Sequence, residues 1–158
     1  MKKIMRATIE DASAILSVQK LAYISEAEIC GNYEIEPLMQ TENDVEKAFA
    51  THIILKYLYN DILVGSVRAY EKEGTCYIGK LMVLPEYQNR GIAKELMKEI
   101  ESLFENVRYE LFTGSESKKN ISFYEKIGYK GYKIEKLARE DTVFLFMEKT
   151  TPTPTNIR

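Results

Sequence analysis

The residues best spaced for chemistry lie near the middle of the chain, in Leu81-Met-Val-Leu-Pro-Glu-Tyr-Gln-Asn-Arg-Gly-Ile-Ala-Lys94. An apolar run ends at a proline, a polar loop follows, and a helix-forming stretch opens at Gly91. A helix N-terminus leaves its first N–H groups unpaired and carries the positive end of the macrodipole. Such an end receives anions, a pyrophosphate above all. Gly91 and Ala93 lack bulk, so a phosphate can approach the backbone, and Arg90 and Lys94 add positive charge. By itself the spacing Gln88-x-x-Gly91-x-Ala93 is equally compatible with a plain helix start and a solvated arginine. It is not a known nucleotide loop: the chain has no G-x-x-x-x-G-K-[ST] and no G-x-G-x-x-G after a strand.

Other reactive groups are few. The one histidine, His52, excludes multi-histidine metal sites, and it fits a strand cap better than a base. Cys30 and Cys76 lie far apart without C-x-x-C spacing, which predicts reduced thiols and a cytoplasmic setting.

The elements that must position these groups follow from periodicity. Lys3–Thr8 reads as a strand, and Thr8-Ile9-Glu10-Asp11 as a capped start for a helix over about 9–23. Gly31-Asn32 and Pro37 break the chain, and Thr41-Glu-Asn-Asp44 caps a short second helix on Val45, Ala48 and Phe49. Ile53–Tyr59, Ile62–Tyr70 and Tyr77–Leu84 are strands joined by tight turns, hence an antiparallel meander. The helix from Ile92 shows Ile92, Ala93, Leu96, Met97, Ile100, Leu103 and Phe104 on one face, with Lys94, Glu95, Lys98, Glu99 and Glu101 on the other. A strand over 107–113 then completes a crossover, so it runs parallel to the strand before the helix. A helix over about 118–127 stops at Gly128, and 132–137 with 142–149 closes the domain as a hairpin. The fold class is mixed α/β, one domain over 1–149 with an extended, flexible tail over 150–158.

Composition agrees with a soluble domain. The 158 residues carry 22 Lys+Arg and 24 Asp+Glu, a net charge of −2, which argues against a strongly basic nucleic-acid module. No apolar run reaches the roughly 20 residues of a membrane span. Met1-Lys-Lys-Ile-Met-Arg6 has charge without an apolar stretch, so no signal peptide is expected.

A second segment makes the first specific. Asn120-Ile-Ser-Phe-Tyr-Glu-Lys-Ile-Gly-Tyr129, thirty residues beyond the loop, resembles a characteristic segment of the GNAT N-acetyltransferases, and Gln88-Asn-Arg-Gly-Ile-Ala93 resembles their pyrophosphate loop. The element order agrees along 3–149. The resemblance implies the GNAT fold: a twisted, mostly antiparallel sheet of about seven strands with four helices, strands four and five parallel and splayed. It implies acetyl-CoA as cosubstrate and no metal. Met82 and Val83 would bind the pantetheine arm through backbone groups, and one of their amides would serve as oxyanion donor. The backbone of Gln88, Asn89, Arg90, Gly91, Ile92, Ala93 and Lys94 would wrap the pyrophosphate, and Asn120 would bond the pantetheine arm. Tyr124 matches the tyrosine beside the thioester sulfur, where a phenol can protonate the leaving thiolate. Ile121, Tyr124 and Ile127 also fall at helical spacing, so Tyr124 serves packing as well.

The chain departs from the family at the base. Many members carry a glutamate early in strand four, where this chain has Tyr77. A water relay to Glu34, Glu36 or Glu71 remains open. Residues 21–46 hold Glu26, Glu28, Glu34, Glu36, Glu42, Asp44 and Glu46 without Lys or Arg, which suits either a solvated face or a wall for a cationic amine acceptor, with Tyr23 and Tyr33 beside it. The reading is an N-acetyltransferase acting on a primary amine in a ternary complex. The alternative is a non-catalytic acyl-CoA sensor of the same fold. Relatives also suggest a homodimer through an exposed final strand; nucleic-acid and membrane partners are not expected.

Overall fold

The structure, a computed structural model, describes residues 1–137 and 142–153. In chain order the elements are β1 (Lys2–Arg6), α1 (Ala12–Ala22), α2 (Ile24–Cys30), α3 (Glu36–Met39), α4 (Glu42–Ala48), β2 (Ile53–Tyr59), β3 (Ile62–Lys72), β4 (Thr75–Val83), α5 (Ile92–Ser102), β5 (Arg108–Gly114), α6 (Lys118–Lys126), β6 (Lys130–Lys136) and β7 (Val143–Lys149). Short 3-10 turns precede α1 and follow β4.

Between β1 and β2 the chain forms four helical segments where periodicity predicted two. The extra divisions have local causes. Gly31 ends α2 in the left-handed region at φ 68°, which a glycine adopts without strain. Pro37 sits in the first turn of α3, where its missing N–H costs nothing. Thr41 starts α4 as expected: Asp44 N–H donates to Thr41 Oγ1 at 3.2 Å, and Thr41 N–H donates to Asp44 Oδ2 at 2.9 Å.

The seven strands form one sheet in the order β1-β2-β3-β4-β5-β7-β6. All neighbours are antiparallel except β4 and β5. The crossover prediction therefore holds. The final strand is not an edge: β7 lies between β5 and β6, so the edge strands are β6 and, at the other side of the sheet, β1. The 138–141 turn of that hairpin lies outside the described residues.

Both sheet faces are covered. One carries the larger core, in which Tyr57, Val64, Val67 and Ala69 meet Ile92, Leu96, Met97 and Ile100 of α5. The other packs Ala12, Ile15 and Val18 of α1 and Val45 of α4 against Ile54 and Met82.

Two expectations about α5 and the tail need correction. Leu103, placed on the apolar face, is exposed, and Glu101, placed on the solvent face, is wholly buried. Helical periodicity could not show that β7 and the following residues reach this turn. Lys149 Nζ sits 2.9 Å from Glu101 Oε1 and also donates to Ile127 O at 2.8 Å and Thr153 Oγ1 at 2.6 Å. Tyr129 donates its hydroxyl to Glu101 Oε2 at 2.6 Å, and the Thr153 amide donates to the same carboxylate. Thr153 is consequently buried, so the first part of the expected free tail is anchored; residues 154–158 lie outside the described ones. Burial pulls the Lys149 ammonium below its usual range against the pull of Glu101.

A buried pair broken from one side leaves an uncompensated charge. Glu101→Ala should lower the stability by about 3–5 kcal/mol in urea unfolding. A loss under 1 kcal/mol would show that the cluster holds nothing together.

Candidate active site

The site begins where two strands stop pairing. β4 and β5 are in register only over Thr75 with Arg108, Cys76 with Tyr109 and Tyr77 with Glu110. β4 then continues to Val83 and β5 to Gly114 without further ladder between them. The backbone groups facing that gap lack a strand partner, and such groups demand another donor or acceptor. On its other side β4 remains paired to β3, but the register shifts between Ser66 and Arg68. Lys80 takes φ 52° at this irregularity, a bulge that bends β4 beside the gap.

At the outer end of the gap lies the loop singled out above. Asn89 and Gly91 have φ 64° and 84°, and this pair of left-handed residues turns the backbone into α5. A Cβ built on Gly91 would meet nothing within 4 Å, so open space faces the helix start. Gly91 is the N-cap and supplies no side-chain cap, leaving the first N–H groups of α5 to an outside acceptor. Gln88 donates from Nε2 to Val83 O at 3.1 Å, tying the loop to the end of β4. That bond occupies a carbonyl expected to serve the pantetheine arm. Arg90 is exposed and lies over the Tyr87 ring at 5.0 Å. Met82 is buried, and both it and Val83 keep their places in the β3 ladder.

At the end of β5 stand α2 and α6, with Asn120 Nδ2 3.5 Å from Thr113 Oγ1 and Glu26 Oε1 3.7 Å from a Cβ built on Gly114. Tyr124 and Asn120 project from one face of α6, and both are half-buried. Among the described residues the Tyr124 hydroxyl has no hydrogen-bond partner. Burial pushes this phenol above its ordinary range, and Tyr23 and Glu26 push it further. Glu26 reaches across from α2: its Oε2 accepts from Ser117 Oγ at 2.9 Å and from Asn120 Nδ2 at 3.0 Å. The Asn120 side chain, expected to bond a ligand, is thus held by a carboxylate in this state. Tyr23 places its hydroxyl 3.4 Å from Leu81 O, on the bulged part of β4.

Sequence reasoning missed Glu26 as a site residue. A signal exists: Tyr23 and Glu26 are three apart, a helical spacing that puts both on one face. Of the carboxylates left open as bases, Glu36 shares the surroundings of Tyr23 with Glu26. Glu36 pairs with Lys80 at 2.7 Å, Glu34 is exposed, and Glu71 is exposed opposite Cys76. Of the other acids of 21–46, Asp44 caps α4, Glu28 and Glu42 are exposed, and Glu46 is half-buried.

The sheet face under α1 carries further groups. Tyr70 and Tyr77 are cross-strand partners with stacked rings 5.2 Å apart, and His52 meets Tyr70 edge-on at 4.9 Å. Arg68 lies beside them, 4% exposed. Burial lowers the basicity of His52, and the charges of Arg68 and Lys80 lower it further. Cys76 is buried and its thiol is pushed up to about 12 by desolvation, so it is not a nucleophile. No group of three His, Cys, Asp or Glu side chains among the described residues could hold a metal, and no helix among them is long and apolar enough to cross a membrane.

The chain thus combines a helix start open to an anion, a strand edge open beside it and a protonated phenol on the helix that follows β5. The model for the acetyltransferase (GNAT) family matches residues 14–129. The chain belongs to that family and is a GNAT-type acetyltransferase. The PaiA N-acetyltransferase of Thermoplasma acidophilum, crystallised with coenzyme A, superposes with a TM-score of 0.79 at 19% identity over 96% of this chain and 99% of that one. A GNAT acetyltransferase from Streptococcus agalactiae gives 0.78 at 14% identity over 95% of each chain. A chimeric spermidine N-acetyltransferase from Vibrio cholerae gives 0.73 at 14% identity over 94% of this chain and 95% of that one. At such identities the likeness is one of fold. No curated protein matches the sequence.

His52 offers a single histidine signal by which to test the electrostatics of this face. Its NMR titration should show a midpoint below the free value of about 6.5. Between the native midpoint and that value the unfolded chain binds more protons, so acidification through this window lowers stability. Arg68→Gln should raise the midpoint; a midpoint unmoved by that change would place the two groups out of each other's field.

Proposed function

We propose that the protein transfers the acetyl group of acetyl-CoA to a primary amine by direct attack within a ternary complex. The parting of β4 from β5, with a side-chain-free helix start after β4 and the helix that bears Tyr124 after β5, carries this reading. The residues fit the cosubstrate. The N–H groups from Gln88 to Lys94 receive the pyrophosphate, with Arg90 and Lys94 adding charge. Met82 and Val83 offer backbone groups to the pantetheine arm, one amide polarising the acetyl carbonyl. Asn120 turns its amide from Glu26 to that arm.

Bound acetyl-CoA supplies the activated acetyl group. Glu26 holds the acceptor ammonium and passes one proton on to solvent, since only the neutral amine attacks. Tyr124, kept protonated by its surroundings, gives its proton to the leaving sulfur and recovers one from the nitrogen that has added. One proton is released per turnover. The acid-rich 21–46 segment supports an acceptor that arrives as a cation, and the spermidine enzyme among the neighbours is consistent with one. The two free cysteines suit a cytoplasmic setting, and the free side of β6 offers a seam for a homodimer.

Thiol release across an amine panel tests the reaction; coenzyme binding without release for any amine would favour a sensor instead. Tyr124→Phe should lower kcat by about 10²-fold while the affinity for acetyl-CoA stays within a few-fold. Unchanged turnover at saturation would remove Tyr124 from the proton transfer. Gly91→Glu forces a side chain into a left-handed position and sets a carboxylate where phosphates bind. Calorimetry should show coenzyme affinity reduced at least about tenfold, equivalent to 1.4 kcal/mol, and an unaltered Kd would mean the diphosphate lies elsewhere.

A further inference from the structure

Arg68 of β3 is a buried cation that the chain leaves incompletely paired. It sits opposite Gly79 at the edge of the β4 bulge. Its Nη2 donates to Gln19 Oε1 at 3.2 Å, and its Nε is buried without any partner among the described residues. No carboxylate among them closes an ion pair with it. Glu36, the acid whose field reaches it, is bonded to Lys80. A guanidinium facing only a neutral amide is an expensive way to fill space, because an apolar side chain of similar volume would avoid the desolvation. Arginine suits such a place when a carboxylate or similar anion is to be recognised.

The guanidinium is also held in position. Gln19 is wholly buried and gives its Nε2 hydrogens to Pro37 O at 2.9 Å and Gln40 Oε1 at 2.8 Å. With both donors spent, its oxygen must face Arg68. The turn from Pro37 to Gln40 therefore orients the amide, and the amide orients the arginine.

The location ties Arg68 to the acetyl-transfer site. Tyr23 lies within the fields of Arg68 and of the carboxylates Glu26 and Glu36, and its hydroxyl meets Leu81 O in the bulge. Among the described residues Arg68 and Glu26 share this neighbour without an ion pair between them. Tyr23 and His52, both half-buried, lie within the field of the guanidinium, which is itself 4% exposed.

We propose that Arg68 binds a carboxylate carried by the acceptor, so that the acceptor is an amino acid or another amino-carboxylate with its ammonium toward Glu26 and its carboxylate toward Arg68. This rests on the amine-acetylation reading above and names the class of amine. The Nε–H left free takes one carboxylate oxygen, and the face under α1 becomes the acceptor's anchoring end.

The test compares the twenty common amino acids with their carboxamides by thiol release. The wild-type protein should favour the best acid over its amide by at least tenfold in kcat/KM, mostly through KM. In Arg68→Gln that ratio should collapse toward one, and Arg68→Lys, which keeps the charge but not the fork, should recover part of it. A wild-type ratio near one, or a ratio that survives in Arg68→Gln, overturns the proposal.

A second readout needs no turnover. N-acetylglycine added to the wild-type protein should raise the His52 midpoint by screening Arg68, whereas N-acetylglycinamide should not; a concentration of about 10 mM exceeds the Kd of a millimolar contact. Equal effects of the two compounds, or none from either, count against the site. If no amine of any kind releases thiol, the acetylation reading fails by itself, and the His52 titration still decides whether a carboxylate binds at Arg68.

Discussion

Everything in this candidate site depends on β4 and β5 ceasing to pair after Tyr77 and Glu110. Unpaired backbone inside a protein must find a partner, and a strand edge that has lost its neighbour is a row of such demands. Two devices keep the strands apart. The bulge at Lys80 bends β4 away from the regular ladder, and Pro85 ends the strand before it can turn back. β5 is held from its other side, where Tyr109 to Gly114 pair with β7 in an unbroken ladder. The sheet therefore opens along one seam, and α5 starts at the mouth of that seam because the chain leaving β4 must cross to reach β5.

The seam would close or collapse if its walls were soft. On the α5 side the wall is a dense apolar layer, and its far end is locked by Glu101, Lys149, Tyr129 and Thr153. On the α1 side the wall is thinner and more polar. Gln19, Arg68 and Ser66 are all buried there, and Ser66 spends its hydroxyl on Leu55 O at 2.8 Å. Burying Gln19, Arg68 and Ser66 on this face costs stability, since each group needs a partner in a place that apolar residues could fill more stably. The face that spends stability in this way is the face on which the acceptor is proposed to lie.

What could be read from the chain divides by range. The loop proposed to take the pyrophosphate was legible because its parts are consecutive: a proline, a short polar turn and Gly91 at the head of an amphipathic run. The crossover and the meander followed from turn spacing. Glu101 was read as solvent-facing because a helical wheel sees only its own helix, and its partners come from β7 and the residues beyond it. Glu26 was hidden among six other acids, and only the approach of α2 to α6 distinguishes it. Arg68 stands in an alternating strand where any polar residue looks like a solvent position, and nothing local shows that α1 covers it. The helical span before β2 was under-divided because one-turn helices leave little periodicity to read.

Two buried charges in one domain show how placement separates structure from function. Lys149 touches a carboxylate, a carbonyl and a hydroxyl, so all three of its protons are answered, and the cluster joins α5 to β7 and the residues after it. Nothing further could bind there without breaking something. Among the described residues Arg68 touches one neutral oxygen and leaves a buried N–H unanswered, although its support is as well fixed as that of Lys149. If burial of Arg68 served folding alone, selection for stability would favour a carboxylate near it or an apolar side chain in its place. A carboxylate supplied by a passing ligand resolves the difference: the charge is balanced when the acceptor is present, and the imbalance when it is absent is what draws the acceptor in.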